Sequence, residues 1–131
     1  MGLTYDGTDL ISTDLAKIYV LDGISVSIKS SFASPDTFMS GLAFDGTNLI
    51  SSGYAADDIY IHNGVSGTIS SSFAAPAFAP TGLTFDGTNL ISVDLTTNLI
   101  YVHSGVSVTI SSTFASPGGN EWGLTYTGGP Y

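Results

Sequence analysis

Short apolar runs separated by turn-forming residues recur along the whole chain, and they predict β-strands rather than helices. In the last third of the chain, two pairs of hairpin-forming residues lie between such runs, at Asp86-Gly87 and Ser104-Gly105. An Asp-Gly pair favours a type I′ turn, in which both central residues have positive φ. Four antiparallel strands are predicted here, at Gly82–Asp86, Asn89–Asp94, Leu99–His103 and Val108–Phe114.

This four-strand pattern occurs three times at a nearly constant spacing. The motif G-L-x-[YF]-D-G-T-x-L-I-S starts at Gly2, Gly41 and Gly82, and a second block that ends in proline recurs with the same fidelity. Four antiparallel strands with a period of about 40 residues are typical of one β-propeller blade. The sequence therefore predicts an all-β propeller chain with blades at 2–40, 41–81 and 82–122, followed by an extra innermost-type strand and tail at 123–131.

A β-sandwich is the rival architecture, since it also has many short strands. A sandwich does not require near-identical four-strand units, and its strands alternate polar and apolar residues because one face of each sheet is solvated. In this chain Leu49-Ile50 and the run at 99–102 are apolar on both faces. Blades that pack between two neighbours bury both faces, so the pattern favours the propeller.

The repeat resembles the blades of the NHL/YncE-like bacterial β-propeller repeat family. The resemblance rests on the Gly-Leu motif, on I-Y-V at Ile18–Val20, and on S-F-x-x-P as at Ser31–Pro35. It covers the whole chain but consists of scaffold residues. It implies a propeller in which the Gly-Leu strand is innermost and the S-F-x-x-P strand outermost, and it implies a binding protein. It carries no catalytic residues.

Three blades are too few to close a propeller, which usually has four to eight. Two open sheet faces would be an aggregation hazard in a monomer. We therefore predict half of a six-bladed propeller that is closed by homodimerisation, through a head-to-tail contact made twice about a two-fold axis. A fragment of a longer single-chain propeller is the alternative, and the extra strand at 123–126 leaves both open. The residues expected at the open ends are Tyr5, Leu10 and Ile18 on one side and Phe85, Leu90 and Ile100 on the other.

The charge balance excludes several classes of partner. Lys17 and Lys29 are the only cations, and the formal net charge is -9. Because neutralising phosphates takes clusters of Lys and Arg, we expect no nucleic-acid partner and no binding to an anionic membrane. The chain contains no cysteine, so thiol catalysis and Cys-zinc sites are unavailable to it.

The loops predict which face of the propeller would carry a binding site. The turns after the first and third strands of each blade are nearly the same in all repeats, whereas the loops after the second strand and between blades diverge. Both divergent sets lie on one side of the disc, which we call the divergent face. Aromatic residues there suit stacking on a sugar or anchoring a protein, although packing between blades is the commoner role. The candidate binding residues, expected to be exposed, are Phe38, Met39, Tyr54, Phe78, Glu121 and Trp122.

The sequence predicts no catalytic or metal site and no cofactor. His62 and His103 occupy one equivalent position, which is Leu21 in the first repeat, so packing is favoured over metal ligation. Each Asp-Gly turn offers one carboxylate, whereas an all-protein calcium site needs six to eight oxygens. Neither a nucleophile elbow nor a converging pair of carboxylates is present.

The leading hypothesis is a non-enzymatic scaffold or binding module that recognises a glycan or a protein on its divergent face. The composition, rich in Ser, Thr and Gly and poor in Lys and Arg, slightly favours an extracellular or virion surface. The alternative is a hydrolase or lyase with a metal-assisted site in the central channel. The sequence does not identify the ligand.

Overall fold

The computed structural model describes residues 2–119 and 123–127 of the 131-residue chain. Within these residues the chain forms twelve β-strands and no helix. The strands are β1 (Leu3–Tyr5), β2 (Leu10–Thr13), β3 (Lys17–Leu21), β4 (Ile28–Ala33), β5 (Met39–Phe44), β6 (Leu49–Gly53), β7 (Asp58–His62), β8 (Ile69–Ala74), β9 (Pro80–Phe85), β10 (Leu90–Asp94), β11 (Leu99–His103) and β12 (Ile110–Ala115).

The strands form three four-stranded antiparallel sheets, and each sheet consists of four consecutive strands. We call β1–β4 blade 1, β5–β8 blade 2 and β9–β12 blade 3. The first strands of successive blades contact one another, so β1, β5 and β9 are the innermost strands. The predicted all-β fold, with three four-stranded blades in one chain, is confirmed.

The strand limits differ from the prediction at two kinds of position. β5 and β9 begin two residues early, at Met39 and Pro80, because a register shift lets each ladder continue past its glycine. β12 begins two residues late. The loop before it takes six residues rather than four, and it is closed by a 2.8 Å hydrogen bond from the Ser104 amide to the Thr109 carbonyl.

The Asp-Gly pairs form hairpin turns, but the type I′ prediction is wrong. Gly87 has a φ of 99°, whereas Asp86 does not have the positive φ that this turn requires. The Asp86 carboxylate instead accepts hydrogen bonds from the amides of Thr88 and Asn89, at 2.9 and 2.7 Å. This aspartate side chain therefore shapes a loop that is longer than a two-residue turn.

The hydrophobic core lies between the blades, and its two parts are built from equivalent residues. We call the side of a blade that packs on the next blade its forward face, and the opposite side its backward face. At the first junction Ile11, Ile18, Val20 and Phe32 of blade 1 pack against Leu42, Leu49 and Val65 of blade 2. At the second junction Ile50, Ile59, Ile61 and Phe73 of blade 2 pack against Leu83, Leu90 and Val106 of blade 3.

Part of the predicted composition of the open ends is therefore wrong. Ile18 and Leu90 are fully buried, because Ile18 is on the forward face of blade 1 and Leu90 on the backward face of blade 3, and both contact blade 2. Ile100 lies on the outward side of blade 3 but is only 9% exposed. Tyr5, Leu10 and Phe85 are partly buried.

The equivalence of the junctions identifies the residues that do form the two open faces. On the backward face of blade 1, Leu3 is 64% exposed, whereas its equivalents Leu42 and Leu83 are each 3% exposed. On the forward face of blade 3, Phe114 is 53% exposed. The open backward face consists of Leu3, Leu10 and Ile24, and the open forward face of Ile91, Ile100, Val102 and Phe114.

Glycines let the innermost strands approach closely around the centre of the disc. A Cβ atom on Gly41 would lie 3.1 Å from the backbone nitrogen of Leu83, closer than a side chain normally tolerates. The Gly-Leu pairs of the three innermost strands, together with Gly123-Leu124, enclose a central cavity of about 210 Å³. Such close backbone approach is one of the situations that favour glycine over every other residue.

Candidate functional site

Two grooves of about 400 and 410 Å³ lie on the divergent face, one at each junction between blades. Each groove has the same three parts: the turn after the second strand of the preceding blade, the proline segment between the blades, and the tyrosine of the next blade's third strand. The first groove is lined by Leu15, Ala16, Ser34, Pro35, Asp36, Thr37, Ala56 and Tyr60. The second is lined by Ala56, Asp57, Asp58, Ala74, Ala75, Pro76, Ala77, Phe78, Thr97 and Tyr101.

A buried carboxylate holds the loops of the second groove in place. Asp94, the last residue of β10, is 2% exposed. One of its oxygens accepts hydrogen bonds from the amides of Thr96 and Thr97, at 2.8 and 3.0 Å. The other accepts one from the amide of Ala79 at 2.8 Å. Asp94 therefore ties the segment that enters blade 3 to the turn that follows β10.

Blade 2 uses a carboxylate from a different position for the same task. Gly53 is the equivalent of Asp94, and a Cβ atom there would overlap the carboxylate of Asp36. Asp36 lies in the segment between blades 1 and 2, and it accepts a 2.9 Å hydrogen bond from the amide of Ala56 in the turn after β6. Because Gly53 has no side chain, there is room beside it for the Asp36 carboxylate from the segment between the blades.

A tyrosine lines each groove, but Tyr101 is only 8% exposed and offers the second groove little aromatic surface. Burial, assisted by the nearby carboxylates of Asp36 and Asp58, raises the pKa of Tyr60. The hydroxyl of Tyr101 lies 3.1 Å from Oγ1 of Thr97. The first groove therefore combines the Tyr60 ring with the Asp36 carboxylate, and the second combines the Phe78 ring with the carboxylates of Asp57 and Asp58. Among the described residues that line them, neither groove has a cationic side chain.

The structure separates the predicted binding residues into three groups. Phe78 lines the second groove and is 77% exposed. Phe38 and Tyr54 are exposed beside each other, and the Tyr54 amide donates a 2.7 Å hydrogen bond to the Phe38 carbonyl. The expectation that Met39 is exposed is wrong: it is 2% exposed, because β5 already begins at this residue and the side chain enters the interior. Glu121 and Trp122 lie outside the described residues.

Sequence reasoning missed Tyr60 and Tyr101 as groove residues. Tyr101 belongs to the I-Y-V motif and Tyr60 to the equivalent I-Y-I, and this motif was assigned to the scaffold as a whole. The available signal was position, because Tyr19, Tyr60 and Tyr101 recur at one equivalent site near the divergent loops.

The two histidines are core residues, in agreement with the packing role favoured by the sequence. His62 and His103 are fully buried, and their Nε2 atoms lie 2.8 and 2.9 Å from the hydroxyls of Ser51 and Ser92. Nδ1 of each ring lies 2.6 Å from a backbone carbonyl, which can only accept a hydrogen bond. Each neutral ring therefore donates from Nδ1 and accepts from serine at Nε2.

These histidines should make folding stability depend on pH in the mildly acidic range. Burial lowers the pKa of both rings below the ordinary value of 6.5, so the unfolded chain takes up protons more readily. Stability is then complete above about pH 6.5 and falls as the pH drops below it, by at most about 1.4 kcal/mol per pH unit for each histidine. Urea unfolding at pH values between about 7 and 4.5 measures this slope.

The matched control for this slope is the double variant His62→Leu/His103→Leu, since leucine occurs naturally at the equivalent Leu21. We expect this variant to be less stable at neutral pH and to show a flatter slope. An unchanged slope would contradict the assignment of the pH dependence to these two rings.

The described residues contain no group of three His, Cys, Asp or Glu side chains that could hold a metal ion. The central cavity is bordered by glycine and leucine residues. A search of the same residues for a helix long and apolar enough to cross a membrane finds none.

Comparisons with solved structures identify the architecture. The WD40 repeats of RRP9 superpose with a TM-score of 0.72 at 18% identity, over 95% of this chain and 41% of that one. Glutaminyl cyclase from Myxococcus xanthus gives 0.73 at 14% identity, over 88% and 50%. The WD40 domain of Neurospora crassa Pan2 gives 0.67 at 9% identity, over 86% and 34%. This chain thus spans half or less of each of these structures.

These similarities concern the fold alone, since a WD40 domain and an enzyme match equally well. No protein-family model matches the sequence, and no curated protein does. The specific resemblance to NHL/YncE-like blades therefore stays a prediction. What the strand topology and the solved structures establish together is that this chain consists of consecutive four-stranded blades of a β-propeller.

Proposed function

We propose that this chain is a non-enzymatic scaffold and binding module, that two copies form one six-bladed ring, and that the ring binds ligands in the grooves of its divergent face. The observation that carries the proposal is the match between the two open faces and the faces already packed inside the chain. The open backward face presents Leu3, Leu10 and Ile24. At the equivalent positions both internal junctions have leucine, leucine and valine.

The open forward face matches in the same way. It presents Ile91, Ile100, Val102 and Phe114. At the equivalent positions the first internal junction has two isoleucines, a valine and a phenylalanine, and the second has three isoleucines and a phenylalanine. Surfaces with the same residues at the same blade positions can pack in the same way, so blade 3 of one copy fits blade 1 of another. A two-fold rotation makes this head-to-tail contact twice and leaves no open face.

Ring closure would also create a third groove in each copy. Blade 3 carries Pro117 at the position of Pro35 and Pro76, and in the ring the blade that follows it is blade 1 of the second copy. Tyr19 of the partner subunit would take the tyrosine position of this groove in the ring. The second copy would then complete the third groove, and the ring would display six grooves.

The oligomeric state is measured by size-exclusion chromatography with light scattering. We expect a particle with twice the chain mass of 13.5 kDa. A monodisperse monomer over the micromolar range would overturn the ring.

The grooves favour a neutral glycan as the ligand. Aromatic side chains stack on the apolar face of a sugar ring, and carboxylates accept hydrogen bonds from its hydroxyls. The net charge of -9 and the absence of a cation from the groove walls disfavour anionic sugars. Asp57 adds a carboxylate with one buried oxygen that has no hydrogen-bond partner.

Titration with a panel of neutral oligosaccharides tests the ligand class. We expect Tyr60→Ala and Phe78→Ala each to weaken binding at least about 10-fold, equivalent to about 1.4 kcal/mol. The control is Val108→Ala, an exposed apolar truncation in a turn on the opposite face. If no glycan in the panel binds, the ligand assignment is wrong and a protein partner replaces it.

A further inference from the structure

The tail segment 123–126 occupies the place of the next blade's innermost strand. A Cβ atom on Gly2 would lie 3.0 Å from the carbonyl carbon and 3.2 Å from Cα of Gly41. A Cβ atom on Gly82 would lie 3.1 Å from the same two atoms of Gly123. Gly123 therefore has the same position relative to blade 3 that Gly41 has relative to blade 1. Gly123-Leu124 also borders the central cavity, beside the other three Gly-Leu pairs.

The same place is required by the first strand of a second copy. Residues 2–5 and 123–126 have the identical sequence Gly-Leu-Thr-Tyr. If blade 1 of a partner packs on blade 3 as blade 3 packs on blade 2, the partner's own innermost strand falls where the tail already lies. Two segments cannot occupy one position, so closure of the ring must displace one of them.

We propose that the tail stays and that the ring is closed by strand exchange: residues 123–126 of each copy pair with β2 of the other, in place of β1. This inference rests on the proposed ring. It preserves the connection found inside the chain, where the outermost strand of a blade leads through the inter-blade segment to the innermost strand of the next.

The backbone of the two competing segments favours the exchange. Residues 123–126 belong to no strand in the single chain, so pairing with β2 would bring their backbone into a ladder that they do not form there. β1 is only three residues long, whereas β5 and β9 have six each, and Leu3 is largely exposed. Displacing β1 therefore removes a short ladder and little buried surface.

The register of the exchanged strand follows from the sequence identity. In the single chain Leu3 is paired with Ser12, Thr4 with Ile11 and Tyr5 with Leu10. The exchanged strand would place Leu124 opposite Ser12 of the partner subunit. The Thr13 amide donates to the Gly2 carbonyl, so the position of Leu3 and Ser12 is a non-hydrogen-bonded pair, with the close spacing that a disulfide requires.

Disulfide trapping in this cysteine-free chain tests the exchange. The variant Leu124→Cys/Ser12→Cys is oxidised while dimeric and run on a non-reducing gel, with Leu3→Cys/Ser12→Cys as the matched control. We expect a covalent dimer from the first pair, with at least about 10-fold less bond formation in the control under the same conditions.

The outcomes distinguish failure of the exchange from failure of the ring. If the protein is dimeric, the control pair forms a disulfide within one chain, and Leu124→Cys/Ser12→Cys forms none between chains, the exchange is overturned. The ring remains intact in that case. A chain that is monomeric by light scattering, in the wild type and in both reduced variants, would overturn the ring and the exchange with it.

Discussion

Replacing Phe114 with aspartate should convert the proposed six-bladed dimer into folded monomers. The side chain is 53% exposed in the single chain, so the substitution costs little within blade 3. In the ring it would occupy the position of Phe32 and Phe73, which pack at the internal junctions. Burying an unpaired carboxylate there costs several kcal/mol, and the ring buries two of them. We expect the dimer dissociation constant to rise at least about 100-fold, equivalent to about 2.8 kcal/mol.

Sedimentation across a concentration series measures this change, and circular dichroism establishes that the blades remain folded. The control is Phe78→Asp, which places the same charge on an exposed phenylalanine of the divergent face, away from both open faces. A Phe114→Asp protein that stays dimeric at the wild-type concentration would show that the open faces do not meet as proposed.

Replacing Asp94 with alanine should give the largest loss of folding stability among single substitutions near the grooves. The substitution leaves three backbone amides without their acceptor, those of Ala79, Thr96 and Thr97. Hydrogen bonds to a charged group contribute about 1.5 to 3 kcal/mol, and unpaired buried donors add a further cost. We expect the free energy of unfolding to fall by about 3 kcal/mol in urea titrations of the Phe114→Asp background, where dissociation does not contribute.

Two further variants control this measurement. Asp94→Asn keeps one oxygen acceptor and should cost about half as much, because one oxygen can still serve the amides of Thr96 and Thr97. Asp36→Ala removes the carboxylate that replaces Asp94 at the first junction, and it should destabilise through the Ala56 amide. A loss below about 1 kcal/mol for Asp94→Ala would mean that water replaces the carboxylate.

The fold was predictable because the repeats present the same local signals three times. Turn glycines, short apolar runs and a near-constant period together specify antiparallel hairpins and the number of blades. The type of turn was not predictable from Asp-Gly alone, since the Asp86 side chain competes with the backbone for the amides of the loop. The assignment of Ile18 and Leu90 to the open ends failed because their strands, β3 and β10, carry apolar residues on both sides, so the sequence does not indicate which side faces which neighbour.

The candidate site was predictable in its location and only partly in its residues. Divergence of the loops indicated the face on which both grooves lie. The roles of Asp36 and Gly53 could not be read from the sequence, because they depend on a contact between two loops that are distant along the chain. Met39 was misjudged for a related reason, since a register shift in the β5 ladder brings it into the interior.

The order of the strands in each sheet has a consequence for folding kinetics. Every ladder joins strands that are neighbours along the chain, so each pairing closes a short loop at a small entropic cost. Blades and internal junctions can therefore form in first-order steps within one molecule. In the proposed ring, joining the open faces and exchanging residues 123–126 need a second molecule, so dilution should slow the last phase of refolding and leave the earlier phases unchanged.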